Sequence, residues 1–75
     1  MNDTRRKTVR EQVTKLEEIK GSIESLKDEE EEYLESMPDN MKEGEKGDKT
    51  QTNIAHLEDA LINLEQTLDE LTSIE

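Results

Sequence analysis

The chain contains no cysteine, no tryptophan and no phenylalanine, and only one tyrosine and one proline in 75 residues. Without cysteine there is no disulfide and no thiolate metal site, so the sequence demands no particular redox compartment. Without large aromatic residues other than Tyr33, no aromatic anchor can stabilise a small core. No apolar run extends beyond Ala60-Leu61-Ile62, far short of the ~20 residues of a membrane span or the h-region of a signal peptide. The expectation is a cytoplasmic protein that makes no membrane contact. A single domain of this size rarely gains more than about 3–5 kcal/mol from its own core. Self-association is expected to supply further burial.

Charge is what the chain has in quantity. Charged residues make up 41% and hydrophobic residues 28%, and the net charge is −11. The distribution is uneven. Arg5, Arg6, Lys7 and Arg10 oppose only Asp3 in the first ten residues, whereas residues 50–75 hold six acids and no lysine or arginine. Such a body repels nucleic acid and anionic lipid and attracts basic protein surfaces. The composition borders on that of disordered chains, but the placement of the aliphatic residues is regular.

Ile54, Leu57, Leu61, Leu64, Leu68 and Leu71 step by three and four without a break, which draws one apolar seam along a helix. Val9, Val13, Leu16, Ile19, Ile23, Leu26, Tyr33 and Met37 read as a second seam, with Glu30 where an aliphatic residue is expected. The spacing predicts helix one over about residues 4–36, a tip over 37–48 and helix two over about 49–73, in one domain covering 1–75. Thr8 with Glu11 has the form of a capping box, and Asn2 or Asp3 can cap an earlier start. Gly21 marks a close helix approach or a bend. Pro38 ends helix one, and a short turn at Pro38–Met41 is expected to fold Met41 back onto Tyr33 and Met37. A charged, mobile stretch from Lys42 to Gly47 then leads to Asp48, read as the cap of helix two with Gln51 in the box position.

Helix one begins basic and ends with Asp28–Glu32 and Glu35, the reverse of the order that suits its dipole. Antiparallel packing relieves this conflict by setting Arg5–Arg10 beside Asp69–Glu75, and Lys46 and Lys49 beside the acidic end of helix one. The fold class expected is therefore all-α, an antiparallel two-helix hairpin. Ala55, Ala60, Ile62 and Ile74 widen the apolar face beyond one seam. That width suggests a homodimer forming a four-helix bundle.

Chemistry-bearing patterns are scarce. The Asp28–Glu32 run fans around a helix axis instead of wrapping an ion, so it reads as a solvated face and no metal is expected. His56 falls on the outer face with no second ligand beside it. No serine or threonine has a base and an oxyanion hole, and Gly44 and Gly47 lack the P-loop spacing. No catalytic residue, no cofactor and no enzyme activity are expected. The Thr4–Arg10 segment has too few cations and no interleaved aromatics for nucleic-acid binding. An RNA-binding hairpin dimer stays a minor alternative, and the main reading expects no nucleic acid. Glu24, Asp28, Glu31, Glu32, Glu35, Glu58, Glu65 and Asp69 form the candidate partner-binding acidic face. Beyond residue 10 the chain carries 14 net negative charges, about one per 3 Å over a ~43 Å helix. Doubled in a dimer, that nears the DNA value of one per ~1.7 Å, which makes a DNA-mimic inhibitor a second alternative. A structural or assembly role is a third.

Arg5-Arg6-Lys7, Glu29–Glu32 with Tyr33, Met37-Pro38-Asp39-Asn40-Met41 and the Leu57–Leu71 seam together give a pattern over nearly the whole chain. It resembles the small acidic helical hairpins encoded by phages and prophages of Gram-positive bacteria. The resemblance implies a mobile-element accessory protein in the host cell. Such a protein would bind and inhibit or modulate a host protein with a basic surface, one that handles nucleic acid or defends against phage.

Overall fold

The computed structural model describes residues 1–75 and is entirely helical, with α1 at Asp3–Ser36, α2 at Asp39–Lys42 and α3 at Glu45–Thr72. α1 starts at Asn2, whose side-chain Oδ1 accepts the Arg5 backbone N–H at 2.8 Å. Thr8 therefore does not open the helix. It lies inside α1, and its hydroxyl donates to the Thr4 carbonyl instead. Met37 is extended (φ −70°, ψ 140°), as expected of a residue preceding proline. The chain then closes a short turn in which Met41 and Lys42 donate to the Pro38 carbonyl at 2.9 and 3.0 Å.

The stretch read as a charged mobile loop is helical from Glu45 onward. Gly44 is the N-cap residue, with no side-chain cap bond, and Asp48 lies within the first turn of α3. Gly47 explains the early start. A Cβ built there would fall 2.6 Å from Lys42 Cα and closer still to the Lys42 carbonyl. Only glycine lets α2 and α3 approach this closely. Gly21, the other candidate for a close approach, has nothing within 4 Å of its Cβ direction.

α3 returns along α1 in the opposite sense. Lys20 pairs with Glu65 and Lys27 with Glu58, so a step of seven forward on α1 meets a step of seven backward on α3. The molecule is a rod 58 × 15 × 12 Å in its Cα extents, with a radius of gyration of 17.3 Å against about 11 Å for a compact chain of this length. Only Met37, Gly47, Thr50 and Leu68 are buried. The accessible surface is 5671 Å², whereas a typical folded monomer of this mass exposes about 4,700 Å².

The least exposed residues of α3 include Ile54, Leu57, Leu61, Leu64, Leu68 and Leu71, and Ala60 beside them. On α1 the inward row is Arg6, Val9, Val13, Leu16, Lys20, Ile23, Lys27, Glu30 and Leu34, ending at Met37. Ile19, Leu26 and Tyr33 do not belong to it. They are 48%, 51% and 42% exposed, so the seam expected on α1 is corrected by a rotation of the helix. α3 docks between the Val9–Leu16–Ile23 row and the Val13–Lys20–Lys27–Leu34 row. Tyr33 is consequently not covered by the Pro38–Met41 turn. Lys20 and Lys27 tolerate the inner position because their aliphatic stems pack while their ammonium groups reach outward to acids.

Candidate partner-binding surface

Each residue turns an α-helix by about 100°. Ile19, Leu26 and Tyr33, which precede Lys20, Lys27 and Leu34, therefore sit on one flank of the hairpin. Glu17, Glu24 and Glu31, four residues after an inward residue, sit on the other. On α3 the same rule places Glu58 and Glu65 four residues after Ile54 and Leu61. Antiparallel packing brings these two acidic rows to the same side. The ion pairs agree: Lys20 Nζ lies 3.9 Å from Glu24 Oε1 and also meets Glu65, while Lys27 Nζ lies 3.5 Å from Glu31 and 3.8 Å from Glu58.

The result is a repeating unit in which one lysine emerges from between the helices and is shared by a carboxylate from each. It occurs twice, seven residues apart. These side chains are a quarter to a half exposed, so each pair contributes a few tenths of a kcal/mol up to ~1. The lysines leave most of the flank's charge uncompensated. Glu17, Lys20, Glu24, Glu65 and Asp69 line one open cleft whose floor includes Gly21 and Leu68.

Of the eight acids assigned to the candidate face, Glu24, Glu31, Glu58 and Glu65 stand on this flank and meet the two lysines. Asp28, Glu35 and Asp69 lie beside them, one helical position further out. Glu32 is on the back of α1, away from the flank, and Glu17 belongs to the flank in its place. Lys20 and Lys27 organise the surface, and the seam reading passed over them because each directly follows an apolar residue. Their spacing from Glu24 and Glu31 was the available signal, since four residues is one helical turn.

The ion pairs expected at the hairpin ends are not formed. Arg6 pairs with Asp3 in its own helix at 2.6 Å, and Lys49 pairs with Glu45 in its own helix at 3.0 Å. No ion pair joins Arg5–Arg10 to Asp69–Glu75. The cross-helix pairs lie in mid-rod, where Lys20 and Lys27 are held against α3 by packing. Exposed arginines at a helix end lose more side-chain entropy when fixed.

His56 is exposed, and no three histidine or carboxylate groups converge to hold a metal ion. No helix is long and apolar enough to cross a membrane. Comparison with protein-family models, with curated proteins and with solved structures finds no match.

Proposed function

We propose that this chain is a protein-binding module that engages a basic protein surface through the acidic flank at Glu17, Glu24, Glu31, Glu58 and Glu65, and that it does so as a homodimeric four-helix bundle. The observation that carries this reading is the pairing of two carboxylate rows, one from each helix, on a single flank. Two acidic rows share one flank and hold only Lys20 and Lys27 between them. A surplus of charge in fixed rows steers a partner of opposite sign and sets its orientation. The pattern's resemblance to phage-encoded acidic hairpins adds that the partner is a host protein whose activity is modulated.

The spacing favours a protein surface over competition with DNA. Along each acidic row one carboxylate recurs every seven residues, about 10.5 Å, or one per ~5 Å when both helices are counted. Duplex DNA carries one charge per ~1.7 Å.

Affinity capture from a Gram-positive host lysate tests the proposal, with the native chain compared with a variant carrying Glu17→Gln, Glu24→Gln and Asp69→Asn. A stoichiometric partner should be retained by the native chain, released by salt, and lost by the neutralised variant with helix content unchanged. A partner held equally by both chains, or no stoichiometric partner at all, refutes the assignment.

A further inference from the structure

The flank opposite the acids has no occupant in the hairpin. Ile19, Leu26 and Tyr33 stand out of it at seven-residue intervals, each between two-fifths and just over one-half exposed. They form a stripe about 21 Å long. The corresponding positions on α3 are Asn53, Ala60 and Thr67, small and uncharged. Together with Arg5 and Gln12, the flank has eight positions and one charge, in a chain where 41% of residues are charged. Depletion of charge around aliphatic and tyrosine side chains is the compositional mark of an interface core.

We propose that this flank is the contact between two copies of the chain, related by a twofold axis that passes near Leu26 and sets the two α1 helices antiparallel. The occupant is a second copy because an uncharged stripe offers nothing to a charged partner but matches itself. Leu26 lies midway between Ile19 and Tyr33, so a twofold at Leu26 places Ile19 against the partner's Tyr33 and Tyr33 against the partner's Ile19. That is the self-complementary arrangement of an isologous contact. The surface area agrees. The chain exposes about 900 Å² more than a compact monomer of its mass, and a stable interface takes about 800 Å² from each partner. Charge decides the direction. A parallel pair would bring Asp28–Glu32 and Glu35 of both copies to the same end of the bundle, whereas the antiparallel pair sends them to opposite ends. The two acidic flanks then face outward on opposite sides of the bundle. This inference gives the dimer of the proposed function its contact residues and stands or falls separately from the acidic flank's partner.

Because the chain has no cysteine, single substitutions report the contact directly. Leu26→Cys should form a disulfide-linked dimer under mild oxidation, with the hairpin seam untouched. Ile19→Cys alone should remain uncrosslinked, since its two copies would sit about 21 Å apart. An equal mixture of Ile19→Cys and Tyr33→Cys chains should crosslink as heterodimers. Leu26→Lys should sediment at monomer mass with helix content retained. Monomer mass for the native chain at high micromolar concentration overturns the proposal, as does crosslinking of Ile19→Cys as fast as Leu26→Cys. If Leu26→Lys unfolds, the native mass and the cysteine pattern still decide. A monomeric Leu26→Lys chain that still captures the basic partner separates failure of one proposal from failure of the other.

Discussion

Leu26 and Lys27 are adjacent in sequence, yet the leucine faces solvent and the lysine lies inward, its ammonium group 3.8 Å from Glu58 on the opposite helix. This inversion recurs one heptad earlier at Ile19 and Lys20, where Lys20 meets Glu65. It gives the hairpin two unlike flanks, one apolar and one acidic. Several measurable consequences come from that difference.

Replacing Lys27 with leucine should stabilise the hairpin by about 0.5–1.5 kcal/mol, because the inner position gains apolar contact and loses only two half-exposed ion pairs. Urea titration at fixed protein concentration checks this. The same change should weaken the preference for one register, seen as broader amide resonances, since Lys27 is shared by Glu31 and Glu58. A loss of stability would mean that the lysine's pairs outweigh its packing.

Leu64→Asp should abolish most helical circular dichroism at micromolar concentration. Leu64 lies on the inner row of α3, where a carboxylate forfeits the apolar contact and is partly desolvated. Ile62→Asp, two residues away and exposed, should change stability by no more than about 0.5 kcal/mol. Equal effects at both sites would contradict the docking geometry.

The two glycines should respond in opposite ways to alanine. Gly21→Ala meets open space and should raise stability by about 0.4–1 kcal/mol through helix propensity and a less flexible unfolded chain. Gly47→Ala places a methyl group against the Lys42 backbone and should lower the thermal midpoint. It should also loosen the turn, detectable as faster hydrogen exchange of the Met41, Lys42 and Asp48 amides.

Asn2→Ala removes the only side-chain cap bond at the start of α1. The expected cost is about 0.5–1 kcal/mol or less, confined to the first two turns. Hydrogen exchange should show fraying near Arg5 and Arg6 while the Ile23–Leu61 region keeps its protection.

Stability should rise with moderate salt. With a net charge of −11, self-repulsion across the rod is screened more than the few Lys–Glu pairs are weakened. A thermal midpoint that falls steadily between low and physiological ionic strength would show that the pairs dominate.

The apolar period of α3, the break at Pro38 and the antiparallel return are all legible in the order of residues, because they depend on local rules. The Ile54–Leu71 spacing needs only the pitch of a helix, and Pro38 acts on its immediate neighbour. The rotation of α1 about its own axis is different. Leu16, Ile23 and Met37 belong equally to a stripe through Ile19, Leu26 and Tyr33 and to one through Lys20, Lys27 and Leu34. Hydrophobicity alone selects the first. The structure adopts the second, in which the lysine ammonium groups emerge beside Glu58 and Glu65, a relation between residues 31 and 45 positions apart. The start of α3 at Glu45 was likewise invisible locally, since it depends on the Lys42 backbone lying where a Gly47 side chain would be. Composition and period thus determined that the chain makes two long helices and an acidic surface. Packing between the helices decided which side chains each flank presents, because that choice rests on contacts between residues distant in sequence.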